Sequence, residues 1–93
     1  MFIGVLEVSF RLPESGSLKD KRQVVRSLKD RIRNRYNVSV AETEGQQTWR
    51  SCTLAFAAAA SQRAVIERDF ETIINLIESR PEIAHVESWT EYY

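Results

Sequence analysis

What most constrains this chain is the order in which its hydrophobic spacing changes over 93 residues. A period of two sets alternate side chains on one face of a strand, and a period near 3.6 sets them along one stripe of a helix. Phe2 to Leu12 alternates, with Phe2, Leu6, Val8, Phe10 and Leu12 on one face and Ile3, Val5, Glu7, Ser9 and Arg11 on the other. Pro13, Gly16 and the serines between them make a turn, and Ser17 followed by Asp20 reads as a helix N-cap with an acid in the first turn. From Leu18 onward Val24, Val25, Leu28, Ile32 and Tyr36 recur at helical spacing, and Asn37 ends the helix. Val38 to Thr43 is extended again, Glu44, Gly45, Gln46 and Gln47 turn the chain, and Trp49 to Ala58 returns as the second strand of a hairpin. Ser61 is placed to cap a second helix whose buried stripe is Val65, Ile66, Phe70, Ile73, Ile74 and Ile77, and Pro81 stops it. A last strand runs from near Ile83 to Tyr92.

The order βαββαβ is that of an α+β, ferredoxin-like two-layer sandwich. Right-handed crossovers then put both helices on one face of a four-stranded antiparallel sheet. The first and third strands, the most apolar, are expected at the centre. The second carries Glu42 and Glu44 and the last carries His85, Glu87 and Glu91, charges that edges tolerate. Residues 1–93 are expected to form a single domain, because a chain of this size buries only ~60–65% of its unfolded surface and has no room for a second core. No apolar stretch approaches the ~18–20 residues of a membrane helix, and the apolar start is broken by Glu7 and Arg11, which suits a strand and not a signal peptide. One cysteine excludes an internal disulfide. Cys52 alternates in phase with Leu54 and Phe56 as a core residue, and a reducing cytoplasm is the expected compartment.

The formal charge is zero, yet Lys19 to Arg35 holds eight of the thirteen Lys and Arg residues against only Asp20 and Asp30. That is a local +6, balanced by −6 elsewhere. At 100° per residue Lys19, Arg22, Arg26, Lys29 and Arg33 fall within an arc of about 80° on the first helix. Like charges stacked three and four apart cost roughly a few tenths of a kcal/mol per pair, and a polyanion would relieve that cost, since Arg forks match phosphate oxygens. The plainer reading is a solvated face whose long stems lie over apolar neighbours. Lys21 and Arg35 fall in the apolar arc instead, where they snorkel at the helix ends or pair with carboxylates of a sheet edge.

The string Ser17-Leu-Lys-Asp-Lys-Arg22, continuing through Ser27-Leu28 to Asn37-Val-Ser-Val-Ala-Glu42, resembles the YlxP-like family. The opening Gly4-Val5-Leu6 strand and the Leu12-Pro13 step belong to the same resemblance, which spans almost the whole chain. It implies a small bacterial ferredoxin-like protein of unknown function, whose genes often lie near those for a translation initiation factor and a ribosome-binding factor. A link to RNA or ribosomes is implied by that neighbourhood. No catalytic residues are.

The sheet face away from the helices is the other candidate surface, because a two-layer domain leaves it uncovered. Ile3, Val5, Trp49, Ala55 and Ala57 are expected there as an interface that suits a homodimer. Base stacking in the manner of RNA-recognition modules is disfavoured by Glu7 and by an aromatic, Trp49, only at a strand end. His85 lacks a nucleophile or paired carboxylate at catalytic spacing, Glu42 and Glu44 are weighed as solubilising residues ahead of cation ligands, and Gly16 and Gly45 open no phosphate loop. No cofactor or metal is expected. Trp89, Tyr92 and Tyr93 either meet a partner or fold back on the core. The reading is a noncatalytic cytoplasmic protein that touches RNA or a ribosomal particle through Lys19, Arg22, Arg26, Lys29 and Arg33. Its rival is a homo-oligomeric interaction module using the open sheet face.

Overall fold

Alternation in the first strand becomes a two-sided sheet. Leu6, Val8, Phe10 and Leu12 are buried under helices, whereas Ile3, Glu7 and Arg11 are exposed. The computed structural model describes residues 1–44 and 48–93. Its elements are β1 (Phe2–Arg11), α1 (Leu18–Arg35), β2 (Val38–Glu44), β3 (Ser51–Ala60), α2 (Arg63–Glu78) and β4 (Ala84–Tyr92). The sheet is antiparallel with order β2-β3-β1-β4, so β1 and β3 are central and β2 and β4 are the edges, as their polarity demands. The fold is the ferredoxin-like α+β arrangement.

Local chemistry accounts for the helix ends. Ser17 has extended backbone and its side chain accepts from the Asp20 N–H at 3.1 Å, while the Asp20 carboxylate reaches back to the Gly16 N–H at 3.2 Å. These reciprocal bonds satisfy donors that a helix start leaves over. Arg33 and Arg35 in the last turn complement the negative end of the helix dipole. The cap of α2 is Gln62 and not Ser61, and it makes no side-chain capping bond. Its first turn rests on the Val65 N–H to Gln62 carbonyl bond at 3.3 Å and on Arg63–Glu67 at 2.8 Å, an i,i+4 pair. At the other end Ser79 Oγ donates to the Leu76 carbonyl at 2.7 Å, two residues before Pro81.

Several strand boundaries differ from those expected of the sequence: β1 ends at Arg11, one residue before Leu12, and β2 runs on through Glu44, a residue expected in the turn. β3 starts at Ser51, because Thr48 Oγ1 meets Ser51 Oγ at 2.9 Å and bends the chain through Trp49 and Arg50 before the ladder resumes. It continues to Ala60, because Phe2 and Ile3 at the start of β1 pair with Ala60 and Ala59. Of the turn expected over Glu44, Gly45, Gln46 and Gln47, the last three residues lie outside the described residues.

Val25, Leu28 and Ile32 from α1 and Ile66, Phe70, Ile73 and Ile77 from α2 join Leu6, Val8, Phe10, Leu12, Cys52, Leu54 and Phe56 in one core. α1 lies against β2, and α2 lies across β1, β3 and β4. Tyr92 folds back onto this layer, its ring 6.4 Å from that of Phe70 and beneath the Arg63 guanidinium at 4.1 Å. Among the described residues no helix is long and apolar enough to cross a membrane.

Candidate nucleic-acid interface

Because α1 runs beside an edge strand and not over the centre of the sheet, a groove of about 420 Å³ opens between α1 and β2. Arg22, Arg26, Lys29 and Arg33 line its helical wall, so the fold gathers four of the five predicted stripe residues around one cleft. Lys19 lies outside it, one turn toward the helix start. Among the described residues, Lys19, Arg22, Arg26 and Lys29 form no ion pair with the protein's own carboxylates. Arg33 is engaged weakly, 4.0 Å from Asp30 and 3.4 Å from the Val40 carbonyl. Exposed pairs of that length contribute little.

Lys21 does a different job. It is only 2% exposed, with Nζ 3.0 Å from Glu42 Oε2 and donating to the Thr48 carbonyl at 2.8 Å. This ties α1 to β2 and to the segment entering β3, and it removes Lys21 from the set of groups a ligand could meet. Glu42, expected as a solubilising residue, is therefore the buried lysine's counter-ion. Arg35 takes the other route open to it, standing exposed with its guanidinium 5.9 Å from the Tyr36 ring centre.

Under the groove floor, Cys52 Sγ lies 3.6 Å from Glu42 Oε2. Burial chiefly, and the neighbouring Glu42 charge secondarily, push the thiol up to about 12. A raised acid pKa means the native state holds its proton more tightly than the unfolded chain. The stabilisation is thus complete below the ordinary thiol pKa and is lost as pH rises toward 12. Thiol reagent at pH 8 is expected to label Cys52 in native protein at least a hundredfold more slowly than in denatured protein. Comparable rates would show that the site opens readily.

The open sheet face has the opposite electrostatic character. Register places Glu7 beside Trp89, Val5 beside Glu91 and Ser9 beside Glu87, and residues facing each other in an antiparallel pair share a face. Ile3, Val5, Ala55 and Ala57 lie on this side as predicted, whereas Trp49 precedes β3 and is not part of the sheet. Along with Tyr93, paired with Ile3 on the same side, Trp89, 53% exposed, is an aromatic that this face does carry. Its placement was hidden in the sequence, where it reads only as part of an aromatic tail. With Glu7, Glu87 and Glu91 around it, the face repels phosphate.

Glu42 and Glu44 do not share a cation. A register shift lies between them, so Glu42 stands opposite Leu54 on the helix side and Glu44 opposite Thr53 on the open side. His85 sits at the matching irregularity of β4 with φ 55°, a left-handed conformation that His tolerates better than most residues. Among the described residues no cluster of three or more His, Cys, Asp or Glu is arranged for a metal.

The family described as "Protein of unknown function (DUF503)" matches residues 3–89. The chain belongs to that family. A relative of this DUF503 protein, "Uncharacterized protein YlxP" of Bacillus subtilis (strain 168), is 34% identical over 91 residues, which is 98% of this chain and 99% of the relative. Among solved structures, the de novo designed protein Foldit4 superposes with a TM-score of 0.62 at 21% identity over 96% of each chain. The VAO-type flavoprotein MtVAO615 from Myceliophthora thermophila C1 gives 0.53 at 13% identity, over 97% of this chain and 16% of that one. At those identities the two structures share a fold with this DUF503 chain and nothing more.

Proposed function

We propose that this DUF503 protein is a noncatalytic module that holds the phosphate backbone of structured RNA in the α1–β2 groove, with a ribosomal particle as the RNA-rich partner. The observation that carries the reading is the gathering of Arg22, Arg26, Lys29 and Arg33 along one wall of one cleft. Steps of three and four residues at 1.5 Å each set these cations about 4.5–6 Å apart along the helix, close enough for each to serve a successive phosphate. Lys19 extends the row beyond the groove. Contacts of this kind position RNA without reading its sequence, and the acidic open face supplies no competing site.

The test is binding to a labelled structured ribosomal RNA fragment across a salt series. Four contacts to unpaired nucleotides give a slope of log K against log salt near −3, or a fall of roughly 50-fold between 50 and 200 mM. R22E/R26E/R33E should reduce binding to background while circular dichroism is unchanged, because all three side chains are exposed. Retained affinity in that variant would overturn the groove assignment.

A further inference from the structure

We propose that two copies of this chain pair through the outer edge of β4, antiparallel and about a two-fold axis at Ser88, to form a continuous eight-stranded sheet. The β1–β4 ladder closes on a doubly hydrogen-bonded pair. Ile3 donates to the Tyr93 carbonyl at 3.2 Å, and Tyr93 donates to the Ile3 carbonyl at 2.7 Å. Antiparallel bonding alternates, so in the β1–β4 register Val5 with Glu91 and Glu7 with Trp89 are also bonded pairs. Ser88, Thr90 and Tyr92 therefore point their main-chain N–H and C=O groups away from β1, where the sheet has no further strand.

The two edges of the sheet are treated differently. On β2 the Val40 carbonyl receives Arg33, the Val38 N–H goes to the Tyr36 carbonyl at 3.0 Å, and a register shift between Glu42 and Glu44 interrupts the strand. Such covers and bulges are how proteins keep an edge from pairing. β4 has its irregularity only at its start, around His85, and from Val86 to Tyr92 it contains neither Pro nor Lys and is regular. Among the described residues nothing bonds the outward groups of Ser88 or Thr90.

Charge selects the occupant and the register. Ser88 is the midpoint of Ala84–Tyr92, and an axis there pairs the regular residues Val86 to Thr90 of the two copies. It sets Val86 opposite Thr90 of the second copy and Trp89 opposite its Glu87, and it brings Glu91 to the irregular segment around the second copy's His85. An axis one residue on, at Trp89, would instead oppose Glu87 and Glu91 twice, and directly facing like charges destabilise a strand pair. Packing two open faces together would crowd Glu7, Glu87 and Glu91 of both copies. The edge thus complements a second copy better than the open face does.

The test is sedimentation equilibrium of the full chain with three variants. Wild type should be a dimer. Thr90→Pro should be a monomer with unchanged circular dichroism, because the N–H it removes points away from β1. Ser88→Cys should form a disulfide-linked dimer on mild oxidation: facing Cα atoms of a bonded pair lie about 5.5 Å apart, within the ~4.4–6.8 Å a disulfide spans. Cys52 is buried and does not compete. If Thr90→Pro fails to fold, the Ser88→Cys crosslink decides alone. A monomeric wild type at the highest soluble concentration would overturn the proposal, as would a dimer that persists in Thr90→Pro and is lost in Val5→Asp on the open face.

Discussion

Lys21→Met is expected to lower the stability of this protein by about 3 kcal/mol. The ammonium has exchanged water for Glu42 at 3.0 Å and for the Thr48 carbonyl at 2.8 Å. Methionine preserves most of the buried stem and removes the charge, leaving the Glu42 carboxylate at a site only 21% exposed. Breaking a fully buried pair costs ~3–5 kcal/mol, and the partial exposure of Glu42 places this one at the lower end. For a domain of this size that corresponds to a melting temperature lower by roughly 12–24 °C. Removing both partners, in Lys21→Met with Glu42→Leu, should recover most of the loss, because the penalty lies in keeping one charge of the pair without the other. Thermal denaturation of the four members of the cycle measures the coupling directly. Strict additivity would show that the two groups do not depend on one another.

The second large effect is expected at Gly4, where β1 passes beneath α2. A Cβ there would lie 2.7 Å from Ile66 Cγ2, 3.0 Å from Phe70 Cε2 and 3.2 Å from Tyr92 Cε1. Ile66 and Phe70 are 1% and 2% exposed, so neither has room to withdraw. Gly4→Ala should therefore cost about 2 kcal/mol by overpacking, within the usual range of ~1–3. The glycine serves close approach, since its neighbours Ile3 and Val5 sit in ordinary strand pairs. Urea denaturation provides the measurement, and Ile66→Ala combined with Gly4→Ala should be less harmful than the sum of the two. A neutral Gly4→Ala would mean that α2 can shift on the sheet.

The parts of the fold legible in the sequence are those governed by spacing along one element. Alternation in Leu6, Val8 and Phe10 and in Cys52, Leu54 and Phe56 predicts the buried faces of β1 and β3, because successive strand side chains point to opposite sides. The polarity of β2 and β4 predicts their edge positions for a similar reason. Boundaries and caps were less legible. Trp49 continues the apolar pattern, yet the Thr48–Ser51 hydroxyl contact bends the chain there, and Ser61 has the right chemistry one residue before the actual cap. Glu42 and Glu44, two apart, read as neighbours on one face until a bulge separates them.

The candidate site divides along the same line. By itself the sequence determined that one helix carries a row of five cations, since helical geometry follows from spacing three and four residues apart and requires no other part of the chain. It also determined that Lys21 could not belong to that row. Only the tertiary structure decided that α1 lies beside β2, which turns four of those cations into the wall of a groove and brings Lys21 to Glu42 across twenty-one residues of chain. It alone set Trp89 among Glu7, Glu87 and Glu91, and left β4 with an uncovered edge. Those contacts depend on which strands pair and in what register, and that choice is made by burying the faces of all six elements together, a quantity that no single segment encodes.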